Sequence, residues 1–233
     1  MSGLWQALVQ AVHLMVARDP ALIGIISLSL KVSGIALLFS AVAGISVGAW
    51  LGLHHFRGRG LLVALLYTGM GLPPVVVGLF VYLMLSRSGP FEGLGWLFTP
   101  KAMIIAQTII AFPLVAGFTM TSVRSVDPDL RQQVQSLGAT THQATLTILM
   151  EARMGVVASV IAGFGGIISE VGAVMLVGGN IEGRTRVLTT AVLLETRKGN
   201  FDLALALGIV LLTFSFLANL LMLLLQGGEV RRV

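Results

Sequence analysis

Residues 131–151 read RQQVQSLGATTHQATLTILME, a polar stretch held between two strongly apolar runs. Those flanks place it in a loop at a membrane face, yet the loop carries a helical pattern. Leu130, Val134, Leu137, Thr141, Ala144 and Ile148 recur at alternating spacings of four and three, one stripe of a helix surface. Asp127 offers a side-chain acceptor for an N-cap, and Pro128 fits the first helical position, where its missing N–H is not needed. Gly138 interrupts the stripe and lets the chain turn between two short helices. A membrane chain with a structured loop of this kind presents a docking surface.

The apolar flanks are typical of the whole chain. Of its 233 residues, 56% are hydrophobic and 11% charged, and the mean hydropathy is +0.94. Ordinary soluble domains carry about 25% charged residues, so the composition is that of an all-α integral membrane protein. The net charge of +5 comes from scattered arginines and forms no basic face. With no long Lys/Arg run and no RNA-type aromatic motif, no nucleic-acid partner is expected. The absence of cysteine excludes disulfides and thiolate metal sites. The N-terminus lacks the charged and apolar regions of a cleaved signal peptide.

A helix needs roughly 20 apolar residues to cross a bilayer, and five segments qualify: 27–53, 61–85, 102–123, 155–177 and 203–225. Residues 1–20 read as a short amphipathic helix lying along the interface. Leu4, Trp5, Leu8, Val9, Val12, Met15 and Val16 form its apolar face, and Asp19-Pro20 ends it. Residues 21–226 form the transmembrane domain, with the polar loop at about 124–154, and residues 227–233 form a tail. With five spans the cationic side chains divide seven to seven between the two faces, so positive charge alone does not orient the chain.

Three spans are irregular. Gly69, Gly71, Pro73 and Pro74 interrupt the second, Pro113 the third, and Gly163, Gly165, Gly166 and Gly172 the fourth. Lipid tolerates such breaks only where protein or a water-filled cavity satisfies the freed backbone groups, so Pro73-Pro74 reads as a broken helix beside a pathway. The glycines also suit close helix packing. Two ionisable residues fall within spans, Lys31 and Glu170. Lys31 either snorkels to the interface or pairs with Glu170. Glu170 lies deeper and faces protein or a pore. The loop 178–202 holds Arg184, Arg186, Arg197 and Lys198 against Glu182, Glu195 and Asp202, and its apolar middle, VLTTAVLLE, fits a re-entrant or surface helix.

Catalysis finds little support. None of the three lysines follows a glycine, so no nucleotide-binding P-loop is present. All four histidines lie outside the spans, which leaves intramembrane serines such as Ser169 without a base. Any energy source must come from a partner or an ion gradient.

The loop around Gly138 resembles the "EAA" loop of ATP-binding-cassette importer permeases: Glu-Ala-Ala, three residues, Gly, nine residues, then Ile-x-Leu-Pro. Gln132, Gln133 and Val134 stand at the Glu-Ala-Ala positions, Gly138 and Ile148 keep the glycine and isoleucine, and Met150-Glu151 replace Leu-Pro. GLPPVVVGL in the second span is similar to the double-proline stretch of molybdate and sulfate permeases. SEVGAVMLVGGNIEGRTRVLTTAVLLET, with the Gly-Asn-Phe loop and ALALG helix after it, is similar to tungstate-type permeases. The likeness covers nearly all of residues 25–226.

This resemblance implies a type I importer permease fold of five transmembrane helices. It also implies a second permease copy, two ATP-binding subunits that carry ATP and magnesium, and an extracytoplasmic oxyanion-binding protein. No cofactor is implied in this chain. Gln132, Gln133, Val134, Leu137, Gly138, Ala139, Thr141, Ile148 and Glu151 would form the coupling loop, with a coupling helix over 132–141. Pro73, Pro74, Ser169, Glu170 and Gly172 would line the pathway or gate. The loop would be cytoplasmic, which puts the N-terminus outside and the C-terminus inside the inner membrane of a prokaryote. The expected cargo is tungstate or molybdate. The alternatives are another small solute (sulfate, phosphate or an amino acid) or a secondary transporter that needs no ATPase.

Overall fold

The computed structural model describes Val9 and residues 20–225; the expected interfacial helix and C-terminal tail lie outside the described residues. Ten α-helices and one short 3-10 turn, Glu92–Leu94, make up the regular structure of the described residues. The helices are α1 Pro20–Leu53, α2 Arg59–Met70, α3 Pro74–Leu85, α4 Pro100–Arg124, α5 Pro128–Ser136, α6 Thr141–Glu151, α7 Arg153–Ile168, α8 Gly172–Gly178, α9 Leu188–Arg197 and α10 Phe201–Leu225.

Three helices, α1, α4 and α10, are each long and apolar enough to cross a bilayer, and the number rises to five if each bent helix pair counts as one span. α4 buries 61% of its apolar window, against 28% for α1 and 22% for α10. The outer two therefore keep leucines and phenylalanines such as Leu38, Phe39, Leu212 and Phe216 exposed, the surface a lipid environment requires.

The expected irregularities divide by chemistry. α4 runs through Pro113 without ending, and α7 runs through Gly163, Gly165 and Gly166. One proline removes a single donor, which a long packed helix survives. Two in succession do more: Pro74 disfavours helical geometry at the residue before it, and Pro73 sits at φ −59°, ψ 124° as the N-cap of α3. The second expected span is thereby cut between Met70 and Pro74. The fourth, expected to be irregular, is cut at residues 169–171, just before Gly172, and Glu170 lies in the gap.

The chain forms two compact units. One contains residues 20–36, 73–107 and 167–221. Its core holds Leu22, Leu188, Ala191, Ala206, Leu207 and Val210. There α3 lies so close to α8 that a Cβ on Gly78 would come within 2.6 Å of the Ala173 Cα. Only glycine permits that approach. The VLTTAVLLE segment is helical, as α9, and its first amide is fastened by Leu188 N donating to Ser29 Oγ at 2.9 Å.

The second unit contains residues 37–72 and 108–166. Ala49, Val123, Ile148 and Ala152 form one cluster, and Leu51, Leu66, Ala116 and Met120 another. Inside it the Thr119 and Ser159 hydroxyls meet at 3.0 Å, both fully buried, so each satisfies the other's polar group where water is absent.

Candidate functional site

The polar loop is built as two capped helices. Asp127 Oδ1 accepts from Asp129 N at 2.9 Å, with Pro128 next in line. α6 opens with a reciprocal capping box: Gln143 N donates to Thr140 Oγ1, and Thr140 N donates to Gln143 Oε1 at 2.8 Å. Between them Gly138 takes φ +91°. Gly138 N donates to Gln135 O and Ala139 N to Val134 O, the paired closure of a left-handed helix end. The coupling helix expected over 132–141 is thus two helices meeting at a turn, because the chain must pass through left-handed geometry at Gly138.

This turn divides the apolar stripe. Ala144 and Ile148 are buried, Leu130 and Val134 half-buried, and Leu137 is 88% exposed. Gln132, Gln133, Thr141 and Glu151 are exposed and Ala139 half-buried. A leucine held outward on this turn is an exposed apolar knob. At the base of the loop, between the start of α5 and the α6–α7 junction, lies a cleft of about 560 Å³ whose lining includes Asp127, Gln133 and Glu151. The loop is tied to the membrane helices by α6 packing and by Arg131, whose Nη1 donates to Leu53 O at 2.7 Å. Arg59 Nε donates to Leu51 O at 2.8 Å. Two guanidinium groups therefore cap the last carbonyls of α1, where helix carbonyls lack internal partners and cations are favoured.

The other candidate residues gather in the first unit. The break between α7 and α8 releases backbone groups, and each of four hydrogen bonds has a distinct task. Gln107 Nε2 donates to Ile167 O at 3.1 Å, as does Glu170 N at 3.2 Å. Thr189 Oγ1 donates to Glu170 O at 3.0 Å. Glu170 Oε1 accepts from Ala173 N at 2.9 Å, capping the restart of the helix. Gln107 and Thr189 are 4% and 7% exposed. Ser169 is exposed, and Gly172 faces Val75, two residues after Pro73. Pro73, Pro74, Ser169, Glu170 and Gly172 are thus brought into one neighbourhood through the α3–α8 contact.

The Lys31–Glu170 ion pair is not formed. The Glu170 carboxylate is taken by a backbone amide, while Lys31 lines a cavity with Arg184 and Arg186. The sequence reading also missed Gln107, Thr189, Arg59 and Arg131. Gln107 was detectable as the lone amide within the apolar run AMIIAQTIIAF; the other three announce themselves only through their carbonyl partners.

Comparisons with known proteins agree with this architecture. A family described as "Binding-protein-dependent transport system inner membrane component" matches residues 44–229. A probable anion ABC transporter permease protein of Haloferax volcanii is 43% identical over 205 residues, covering 86% of this chain and 88% of its own. The tungstate uptake system permease protein TupB of Peptoclostridium acidaminophilum is 40% identical over 216 residues, covering 93% and 95%. Among solved structures, a bacterial alginate ABC transporter in complex with an alginate-bound periplasmic protein superposes with a TM-score of 0.72 at 22% identity. It covers 96% of this chain and 85% of that one. With its helical spans, its helical loop and these relatives, the chain belongs to the inner-membrane permease components of binding-protein-dependent transport systems.

Proposed function

We propose that this chain is the permease subunit of an ATP-driven importer that carries an oxyanion, tungstate or molybdate, into the cytoplasm by alternating access. The observation that carries this reading is the helical loop, with Leu137 held outward at its turn, in a chain 40% identical to a tungstate permease. Two copies form the pathway, two ATP-binding subunits seat on α5 and α6, and an extracytoplasmic binding protein delivers the anion. ATP and magnesium belong to the partner subunits. Closure of the ATPase pair pushes the α5–α6 turn. Arg131 and the buried Ile148 carry that push to the ends of α1 and α4, an interconversion of two global states.

The break at 169–171 supplies the gate. A free carboxylate on the path would repel a dianion, by about 8 kcal/mol at 4 Å and an effective dielectric near 20. Glu170 avoids this by spending its carboxylate on the α8 cap. Ser169 and Gly172 then border the narrow point, with neutral groups that let the anion leave.

Proteoliposomes containing this chain with its ATP-binding and binding-protein partners test the reading through uptake of tungstate and molybdate with and without ATP. ATP-dependent uptake that excess sulfate and phosphate do not suppress is the expected result; no uptake of either metal oxyanion overturns it. The loop is placed in the cytoplasm, with the N-terminus outside and the C-terminus inside. Because the chain has no cysteine, single cysteines at Ser136 and Asn200 should label from the inner and outer faces respectively.

A further inference from the structure

A cavity of about 660 Å³ opens beside the first turns of α1, within the first unit and apart from the helix break. Leu22, Ile25 and Leu207 contribute apolar wall, and Lys31, Arg184 and Arg186 face the same space. Two carboxylates also line it, and of the three cations they engage only Arg186, which leaves Lys31 and Arg184 as the surplus. Glu195 accepts from Asn200 Nδ2 and Lys198 Nζ, each at 2.8 Å, and these bonds, the Asn200 one foremost, hold its carboxyl below the ordinary glutamate range. Glu182 is 80% exposed and reaches only Arg186 Nη1, at 3.2 Å. Among the described residues, Arg186 Nε is buried without a hydrogen-bond partner, and neither Lys31 nor Arg184 enters an ion pair.

We propose that this cavity binds an anionic phospholipid, its phosphate held by Lys31, Arg184 and Arg186 and an acyl chain laid along Leu28 and Leu207. The positive surplus carried by Lys31 and Arg184 calls for an anion, and the leucine walls select which one. A hydrated oxyanion gains nothing from apolar wall and fills a small part of the space, whereas an amphiphile uses both features. Cargo gripped by three cations would also leave slowly, which suits a resident lipid better than a transported ion.

The full-length chain with its partner subunits, returned to phosphatidylcholine bilayers with or without phosphatidylglycerol, tests this. Retained lipid is counted by native mass spectrometry and the melting temperature is recorded. The wild type is expected to retain phosphatidylglycerol over phosphatidylcholine and to melt higher in its presence. Each cation contributes about fivefold in headgroup affinity, so K31Q/R184Q loses about 25-fold in preference. R184Q alone, in an exposed loop, loses about fivefold and serves where the double variant folds poorly. K101Q, distant in the chain and seated over Trp96, keeps the preference. Equal retention of both lipids by the wild type, or a preference unchanged in R184Q, overturns the proposal. Stabilisation by inorganic phosphate or tungstate in phosphatidylcholine alone, equal to that by phosphatidylglycerol, would assign the cavity to a free oxyanion and overturn it as well.

Discussion

Arg131 on α5 donates through Nη1 to the carbonyl of Leu53, 2.7 Å away and the last residue of α1. The residues are 78 positions apart, so this bond fastens the start of the docking loop to the end of a membrane helix. A charge-assisted bond to an otherwise unpaired carbonyl fixes both direction and distance. Motion of α5 therefore reaches α1 without passing through the packed core.

Removing that link should separate energy use from transport. Arg131→Ala is expected to leave the ATPase bound and hydrolysing while uptake falls by about tenfold, the equivalent of one charge-assisted bond at the low end. Arg131→Lys recovers part of it, because an ammonium reaches the carbonyl without the planar fork. Uptake per ATP hydrolysed is the measurement. A parallel fall in both quantities would make Arg131 a purely structural residue.

The turn can be tested at its two central residues. Gly138→Val forces a β-branched residue to φ +91°, a strain of about 1–3 kcal/mol that displaces the helix junction and uncouples transport. Leu137→Asp leaves the melting temperature unchanged, since the side chain is 88% exposed, yet weakens co-purification of the ATP-binding subunit. Normal co-purification of Leu137→Asp would remove the knob from the interface.

Gln107 is predicted to stabilise the break between α7 and α8. Gln107→Leu leaves Ile167 O with only the Glu170 amide and lowers stability by about 1–3 kcal/mol. The loss appears as a lower detergent melting temperature and faster hydrogen exchange at residues 167–173. Unchanged exchange there would show that the break is held elsewhere.

For Glu170 the conservative and truncating variants should diverge. Glu170→Gln keeps an oxygen in place for the Ala173 amide and retains the fold, whereas Glu170→Ala loses a cap worth about 1 kcal/mol. Exchange of the Ala173 amide distinguishes the two. Equal protection in both would detach Glu170 from the cap.

Glu195 confers a pH dependence on the loop after α8. Its carboxyl is held below the ordinary glutamate range of about 4.3 by Asn200 and then Lys198. Its stabilising contribution is therefore complete above that range and is lost as pH falls through the lowered value. Protease nicking near Gly199 should rise in the wild type only once pH has fallen below the ordinary glutamate range. In Glu195→Gln it should be elevated at neutral pH and nearly flat. An identical acid profile in both proteins would place the sensitive group elsewhere.

Most of the architecture was legible because it rests on apolar length and on strong local signals. Asp127-Pro128, Gly138 and Pro73-Pro74 act within a few residues of themselves, and each produced the start, turn or break its chemistry implies. Pro113 misled because neighbouring helices hold a helix together against a single weak breaker, while Gly163 and Gly166 serve the close packing also read from them, against Val115 and Leu114. The Lys31 partner weighed for Glu170 is not used, because the helix restart offers its carboxylate a backbone amide three residues on. Arg131, Arg59 and Thr189 serve carbonyls, and carbonyls are identical at every position of a sequence, so only the fold reveals which are left over.

The length of α1 has a consequence for the membrane itself. Its 34 residues extend about 51 Å, while the hydrocarbon layer is roughly 30 Å thick. Even a tilt of about 40°, the steep end for spanning helices, leaves about eight residues outside the oil. The N-terminal portion, PALIGIISLSL, carries no charge before Lys31, so the overhang at that end is greasy. Bilayer thickness thus becomes an operating variable: longer acyl chains would sheathe that end and shorter ones strip it, and turnover should follow acyl-chain length even at constant headgroup.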